Sequence, residues 1–434
     1  MSVRAYRGPL LHFTAAPTSA GEGVEYFADG VLVVDDGRVR QVGPAAAVLA
    51  ALPADCEVRH HPDHLIMPGF IDTHVHFPQI DVIASYGEQL LDWLNHYTFP
   101  AEQRFAEAQY AAAAAERFLD ELLRNGTTTA LTFCTVHPAS VEAFFSASTR
   151  RGTRMLAGKV LMDRNAPDGL TDTAAGGIAD SERLIEKWHN NGRQSYALTP
   201  RFAPTSTPAQ LQKTGALLAR HSDVYMQTHL SENSAEVQWV ETLFPERTSY
   251  LDVYDHYGLL SERSVFAHGI HLRDRELRRL AETGASIAFC PTSNLFLGSG
   301  LLDLQRLQDF GVTFSLATDV GAGTSFSQLQ TLNEAYKVAQ LKGYPLHPYE
   351  AFYRLTLGNA RSLHLDHCIG NFEAGKEADF VVLDPNATPL LAYRSRQCES
   401  PWEKLFLLMT LGDDRVVAET YVNGARVYER RQYR

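Results

Sequence analysis

The sequence Pro-Gly-Phe-Ile-Asp-Thr-His-Val-His, at residues 68–76, places two histidines one residue apart at the end of an apolar run. In a β-strand, side chains at positions i and i+2 point to the same face, so His74 and His76 are expected to converge. Neutral imidazole nitrogens bind Zn²⁺ and Fe²⁺, and a catalytic zinc leaves one position open for water. Because most His-x-His pairs are packed or hydrogen-bonded, a metal site requires further ligands downstream.

Seven more short apolar runs follow, separated by amphipathic stretches of helix length. This alternation is typical of parallel strands joined by crossover helices. Eight such units favour an α/β fold of the (β/α)8 TIM-like barrel type over an open sheet. The eight predicted strands span residues 65–74, 127–133, 155–161, 195–202, 224–229, 265–268, 285–290 and 312–319.

Metal-ligand residue types stand at the ends of three of the later strands. His229 ends the fifth strand, His268 the sixth and Asp319 the eighth. The carboxyl ends of barrel strands share one mouth, which is where barrel enzymes place their active sites. The sequence therefore predicts one Zn²⁺ per subunit, with Fe²⁺ as the alternative, bound by ligands from the set His74, His76, His229, His268 and Asp319. His268 has two interpretations, either a direct ligand or a hydrogen-bonding partner of the bound water or the substrate.

Glu232 lies three residues after His229, where the chain turns from strand to helix. A metal lowers the pKa of its bound water from about 16 to about 7, and other groups must then carry protons. We expect Asp319 to take the proton from the water and Glu232 to pass one to a ring nitrogen of the substrate, with His268 as a third catalytic group. The alternative for Glu232 is a carboxylate that only stabilises the start of the next helix.

Strand-like runs also occur at both chain ends, outside the predicted barrel. Residues 30–43 contain an Asp-Gly hairpin signal at 36–37, residues 379–384 read as a buried strand, and residues 419–428 contain an Asn-Gly signal at 423–424. Unpaired sheet edges promote aggregation, so these runs are expected to pair with each other. The sequence predicts a composite β-sheet domain of residues 1–67 plus 376–434, and a barrel domain of residues 68–375.

The segment between the first strand and the next helix is long for a turn. Residues 77–100 contain Tyr86, Trp93, Tyr97 and Phe99, and we expect them to cover the site. The alanine-rich residues 102–124 that follow predict a helix ending before Asn125-Gly126.

Composition limits the possible partners and compartment. The net charge of −12 opposes binding to nucleic acid, because proteins that bind nucleic acid carry clustered basic residues. Five scattered cysteines argue against a disulfide framework and favour the reducing cytoplasm. Neither a signal peptide nor an apolar run of membrane-spanning length is recognised, so no membrane association is expected.

Taken together, these motifs resemble the metal-dependent amidohydrolase superfamily, in its mononuclear deaminase branch. The resemblance lies in residues 70–76, His-Leu-Ser-Glu at 229–232, His268, Thr-Asp at 318–319 and the return segment 370–380, and it spans nearly the whole chain. It supports the barrel order and the single metal.

Four further segments, at residues 76–79, 93–102, 159–167 and 200–202, resemble the guanine deaminases of that superfamily. This resemblance implies hydrolysis of guanine to xanthine and ammonia in purine catabolism, by a homodimer. An arginine fork suits a purine carbonyl, glutamine offers both donor and acceptor, and aromatic rings cover the ring faces. The residues expected to contact this small purine are His76, Gln79, Trp93, Arg201, Phe202 and Glu232.

Alternatives remain at this stage. Binuclear amidohydrolases use a carboxylated lysine on a barrel strand, and Lys159 lies on the predicted third strand. An internal ion pair is the simpler role for this residue. The deaminases that use Pro-Cys-x-x-Cys are excluded, because no Cys-x-x-Cys occurs. Another aminohydrolase or chlorohydrolase of the same fold, acting on a different purine, a pterin or a triazine, is the nearest rival. A non-catalytic scaffold is the more distant one, since every expected ligand position is filled.

Overall fold

Strands and helices alternate along most of the computed structural model, which describes residues 3–87 and 89–431. The strands are β1 (Arg4–Phe13), β2 (Val24–Asp35), β3 (Arg38–Pro44), β4 (Glu57–His60), β5 (Leu65–Pro68), β6 (Phe70–His76), β7 (Thr127–Phe133), β8 (Arg154–Gly158), β9 (Val160–Leu161), β10 (Gln194–Pro200), β11 (Tyr225–Leu230), β12 (Ser264–His268), β13 (Ser286–Phe289), β14 (Thr313–Leu316), β15 (Phe380–Leu383), β16 (Val417–Val422) and β17 (Ala425–Glu429).

The helices fill most of the connections between these strands. They are α1 (Ala45–Ala50), α2 (Leu90–Trp93), α3 (Phe99–Gln103), α4 (Ala108–Arg124), α5 (Pro138–Arg151), α6 (Ala174–Trp188), α7 (Pro208–Arg220), α8 (Ser234–Leu243), α9 (Tyr250–His256), α10 (Asp274–Thr283), α11 (Pro291–Phe296), α12 (Leu304–Asp309), α13 (Gln328–Leu341), α14 (Pro348–Leu355), α15 (Leu357–Ser362), α16 (Pro389–Ser395) and α17 (Pro401–Leu411). Within the described residues, no helix is both long enough and apolar enough to cross a bilayer.

A ring of parallel strands forms the predicted barrel. Its hydrogen-bonded order is β6, β7, β8, β10, β11, β12, β13 and β14, with the two-residue β9 beside β10. The ring closes just beyond β14, where Asp319 N donates to His74 O at 3.0 Å and His76 N donates to Val320 O at 2.8 Å. The predicted (β/α)8 architecture is confirmed, and its closure brings Asp319 directly beside the His-x-His pair.

The predicted first strand, residues 65–74, is wrong as a single element. β5 pairs antiparallel with β15 and lies beside β1, whereas β6 begins the barrel. Gly69 stands at the change of sheet, where a Cβ would lie 2.3 Å from Thr128 Oγ1. Both strands are buried, so the apolar run continues across the junction and hydrophobicity alone does not show the break.

Two other predicted elements also divide. The predicted strand 155–161 breaks at Lys159 into β8 and β9. The predicted helix 102–124 restarts as α4 after Glu107, whose extended backbone (φ −82°, ψ 114°) ends the preceding turn. Glu102 therefore belongs to the short α3 instead of α4.

The second sheet combines both chain ends, as predicted. Its order is β17, β16, β15, β5, β1, β2 and β3, with β4 paired to β1. Asp36-Gly37 and Asn423-Gly424 form the two expected hairpin turns, and all four residues have positive φ. The domain limits at residues 67/68 and 375/376 stay a prediction.

An ionic cluster joins this sheet to the end of the barrel opposite the mouth. Arg154 at the start of β8 lies 2.5 Å from Glu377, and Arg193, just before β10, lies 2.6 Å from Glu377 and 2.5 Å from Asp379. Burial acts to raise the pKa of Glu377, but the two arginines outweigh it and hold the pKa below its usual value. The cluster therefore favours the ionised carboxylate.

The long segment after β6 folds over the barrel mouth. It contains a 3-10 helix at Phe77–Val82, then α2, a π-helical turn at Leu94–Thr98, and α3. Leu90, Trp93 and Leu94 are buried against Phe202. Glu88 lies outside the described residues.

Candidate metal centre and binding pocket

Four predicted ligands converge at the mouth. His74 and His76 come from β6, His229 from β11, and Asp319 follows β14. His76 Nε2 lies 3.2 Å from His74 Nε2 and 3.1 Å from His229 Nε2. Asp319 Oδ1 lies 3.3 Å from the Nε2 atoms of both His74 and His76.

This donor set fits a metal ion. Donors about 2.1 Å from a tetrahedral zinc lie about 3.4 Å apart, close to the spacing observed. His229 Nδ1 donates to the backbone carbonyl of Arg201 at 2.6 Å, so its Nε2 presents a lone pair to the centre. Burial lowers the pKa of His76 to about 4 and that of His229 well below its usual value, which keeps both rings neutral. Converging lone pairs repel each other unless a cation lies between them.

His268 lies beside this group rather than within it. It forms a second potential ligand cluster with Cys290 and Asp319, and its Nε2 is 3.9 Å from Asp319 Oδ2 and 3.4 Å from Glu232 Oε2. The Nε2 atom is buried without a hydrogen-bond partner among the described residues. Asn294 on α11 contacts His268 Nδ1 at 2.9 Å and fixes the orientation of the ring.

Glu232 is held in place from two sides. Ser299 Oγ donates to Glu232 Oε1 at 3.1 Å, and Glu236 Oε2 accepts the backbone N–H of Glu232 at 2.9 Å. Burial, with the nearby Asp319 and Glu236, raises the pKa of Glu232 well above its usual value. The carboxyl therefore favours the protonated form.

The backbone at the mouth is strained at three non-glycine residues. His268 has φ 75°, Asp319 φ 52° and Ser231 φ 49°. Such left-handed conformations cost on the order of 1–3 kcal/mol each and occur often at functional sites. The strain lies where strands β11, β12 and β14 give way to the loops of the site.

The remaining predicted residues surround one cavity above the four ligands. Gln79, Trp93, Arg201, Phe202 and Glu232 all line it. Phe202 and Trp93 supply apolar walls, while Gln79 and Arg201 supply polar groups. The structure thus brings together every residue that the sequence singled out for the site.

Sequence reasoning left four supporting residues without a role. Asn294 and Ser299 follow the seventh strand, and neither is of a residue type that commonly binds zinc. Glu236 carried a signal, since Asn233-x-x-Glu236 is a capping-box pattern, and the structure forms that box. Glu102 accepts hydrogen bonds from Arg201 and Gln79, a contact that needs the fold to be recognised.

Lys159 takes the simpler of its two predicted roles. Its buried amine pairs with Asp172 and donates to the carbonyl of Val160. An amine engaged in this pair is not positioned as a bridging ligand.

Comparisons with known proteins agree with this architecture. The model of the Amidohydrolase family matches residues 65–427. The guanine deaminase of Escherichia coli (strain K12) is 51% identical over 432 residues, covering 99% of this chain and 98% of that protein.

Solved structures are similar over the same length. The E. coli guanine deaminase superposes with a TM-score of 0.96, covering 99% of this chain and 100% of that one. The guanine deaminase from C. acetobutylicum with bound guanine in the active site has a TM-score of 0.89 at 28% identity, covering 98% of this chain and 100% of that one.

Proposed function

Because the chain belongs to the amidohydrolase family, and within it to the guanine deaminases, we propose that it hydrolyses guanine to xanthine and ammonia. The observation that carries the proposal is the pocket itself. Three imidazoles and a carboxylate converge at its base, and an arginine and a glutamine stand on its wall. The metal-ligand group at the bottom of the pocket is suited to activate water. The arginine and glutamine on its wall are suited to bind a polar heterocycle.

The metal ligands are His74, His76, His229 and Asp319, which would hold one Zn²⁺, with Fe²⁺ as the alternative. Three nitrogen donors and one oxygen donor match the chemistry of either ion. When bound, the ion lowers the pKa of a water molecule to about 7 and so supplies a nucleophile at neutral pH. His268 Nε2 lies 3.4 Å from Glu232 Oε2 and has no hydrogen-bond partner among the described residues, so it is free to orient the water or the substrate instead of completing this set.

The purine occupies the space between the metal ligands and the segment after β6 that folds over the barrel mouth. Arg201 and Gln79 hold its polar edge, Phe202 and Trp93 contact its faces, and His76 borders it from below. In this proposed orientation, C2, the carbon that bears the amino group, faces the metal ligands. The arrangement also excludes bulk water, since Trp93 and Phe202 are nearly fully buried.

Proton transfer falls to the two carboxyl groups. Water oxygen bonds to C2 while Asp319 accepts a water proton, and Glu232 delivers a proton to the adjacent ring nitrogen. Asp319 then passes the proton that it took from water to the amino group, the C2–N bond breaks, and ammonia leaves with the bonding pair. The C2 hydroxyl becomes the carbonyl as its proton passes to Glu232, so both carboxyl groups return to their starting states. The net reaction is guanine plus water giving xanthine plus ammonia.

An ultraviolet assay of guanine consumption, paired with ammonia detection, tests the proposal directly. Adenine, cytosine and melamine serve as alternative substrates in the same steady-state measurement. If kcat/KM for any of these rings equalled or exceeded that for guanine, the protein would be a different aminohydrolase of the same fold.

Arg201→Ala tests the binding wall. We expect the variant to lose at least roughly 100-fold in kcat/KM for guanine, mainly through KM, because a charged hydrogen-bonding group at the substrate is lost. Arg220→Ala, an exposed arginine on α7, is the matched control. An unchanged KM in Arg201→Ala would contradict its role.

We also propose a cytoplasmic homodimer. Five free cysteines are compatible with a reducing compartment. Exposed apolar side chains on α13, α16 and α17, including Leu341, Tyr393 and Trp402, offer a surface for a second copy. Light scattering on the purified protein measures the oligomer, and a monomer at micromolar concentration would contradict this part.

A further inference from the structure

A buried carboxylate stands behind the polar wall of the pocket. Glu102 on α3 is 1% exposed and accepts from Arg201 Nη1 at 2.6 Å through one oxygen. Its other oxygen accepts from Gln79 Nε2 at 3.4 Å. Phe99, one turn earlier on α3, lies against the same guanidinium, with 5.2 Å between the Arg201 Cζ and the ring centroid. One short helix therefore contacts both residues that face the purine.

These contacts fix the orientation of the Gln79 amide. Its Oε1 accepts the backbone N–H of Gly321 at 3.2 Å, while its Nε2 points to Glu102. A flipped amide would set its oxygen against a carboxylate and its NH₂ against an N–H donor, and both contacts are repulsive. Glu102 and Gly321 N thus determine which end of the amide is a donor.

The polar wall consequently offers hydrogen-bond donors to the ligand. Gln79 keeps a second N–H on Nε2, and the guanidinium of Arg201 has further N–H groups beyond the one used by Glu102. Each acceptor of this network, the two Glu102 oxygens and Gln79 Oε1, is directed to a donor of the protein, and Glu102 does not line the cavity. A wall that presents mainly donors favours a ring edge that carries a carbonyl oxygen over one that carries an amino group.

We propose that Glu102 is a positioning residue that sets substrate specificity, by holding Gln79 and Arg201 as donors and so selecting 6-oxo over 6-amino purines. The inference rests on the proposed function for its substrate, but Glu102 touches no reacting atom. It acts through the two residues that it contacts.

The test compares guanine with 2,6-diaminopurine, which keeps the 2-amino group but replaces the carbonyl by an amino group. In Glu102→Gln, the new amide can donate as well as accept, so only Gly321 N still favours the observed orientation of the Gln79 amide. We expect the guanine to diaminopurine ratio of kcat/KM to fall by roughly 10-fold or more, with the KM for guanine rising and metal content unchanged. Glu102→Asp, which keeps the charge, should retain most of the ratio. Glu107→Gln, an exposed change on the same segment, should retain all of it.

A folded Glu102→Gln protein with the wild-type ratio would overturn the proposal. If Glu102→Gln does not fold, Gln79→Leu provides the second measurement, since removal of the oriented amide must also lower the ratio. An unchanged ratio there would overturn the proposal equally.

A failure of the proposed function can be recognised separately. If the wild-type enzyme does not turn over guanine, the dissociation constants of hypoxanthine and adenine, measured by calorimetry, still show whether Gln79 and Arg201 prefer a carbonyl oxygen to an amino group. Tighter binding of hypoxanthine, lost in Glu102→Gln, would support the role of Glu102. Equal binding of the two bases to the wild-type protein would exclude it.

Discussion

Two carboxyl groups near the same imidazole respond to their surroundings in opposite ways. Burial raises the pKa of Glu232 well above its usual value. Burial would also raise that of Asp319, but His74, His76 and His268 lower it well below its usual value. Pairs of acids whose pKa values are driven apart commonly divide the roles of proton donor and base. The proton route of the proposed reaction follows this division.

Glu232→Gln isolates the donor role. The amide keeps the size of the side chain and its contact with Ser299, but it cannot deliver a proton. We expect kcat for guanine to fall by ~10²-fold or more, with stoichiometric metal retained. Assays of guanine consumption measure kcat, and elemental analysis of the purified variant measures the bound metal.

Glu241→Gln, an exposed change on the following helix, is the matched control and should keep full activity. A normal kcat in Glu232→Gln would exclude it as the proton donor.

At this scale, the sequence predicted the residues that belong to recognisable motifs. His74, His76, His229 and Asp319 could be placed because strand periodicity and the barrel mouth bring them together. The side chains that orient them, such as Asn294 and Ser299, could not be placed. Their function depends on contacts between loops that only the closed ring establishes, and no local pattern encodes such contacts.

At the scale of elements, the strands were predictable where an apolar run has clear ends. The prediction for β7 matches its observed bounds. The Asp-Gly and Asn-Gly signals also predicted the two hairpin turns of the second sheet. The junction of β5 and β6 was not predictable, because the pairing partner of β5 is β15, more than 300 residues later. Apolar periodicity reports burial but not which sheet a strand joins.

The Arg154–Arg193–Glu377 cluster couples the barrel to the second sheet and predicts a pH effect on stability. Because the folded pKa of Glu377 is depressed, its contribution is fully present above the unfolded value of about 4.3 and is lost as the pH falls through the folded pKa. Glu377→Gln should lower the free energy of unfolding by roughly 2–4 kcal/mol at pH 7, since two largely buried arginines lose a partner.

Urea unfolding at pH 7 and at acidic pH measures this effect. The difference between wild type and Glu377→Gln should begin to narrow as the pH falls below about 4.3, where protons bind the carboxyl group of the unfolded state, and it should be lost only below the depressed folded pKa. Glu57→Gln removes an exposed ion pair and should change stability by less than about 1 kcal/mol. A difference that stays constant across the pH range would argue against the electrostatic explanation.

At the scale of the whole molecule, metal removal should affect both activity and stability. Three elements of the barrel, β6, β11 and the segment after β14, meet at the proposed ligands. An ion that binds the folded state stabilises it by about 4 kcal/mol at 1,000 times its dissociation constant. Chelated protein should lose guanine turnover and unfold at a melting temperature several degrees lower. Added Zn²⁺ or Fe²⁺ should restore both.

Calorimetry and activity assays on the same samples provide the measurement, and magnesium serves as the control ion. Full turnover by protein shown to be free of transition metal would contradict the proposed centre.

The sheet shared by the two chain ends has a consequence for biosynthesis. In that sheet β5 lies between β1 and β15, so one edge of β5 stays unpaired until the ribosome has translated residue 383. During that interval the nascent chain exposes a buried apolar strand, the kind of edge that invites intermolecular pairing. A message truncated before codon 380 would therefore yield a polypeptide prone to inclusion bodies, even though every barrel strand had already been made.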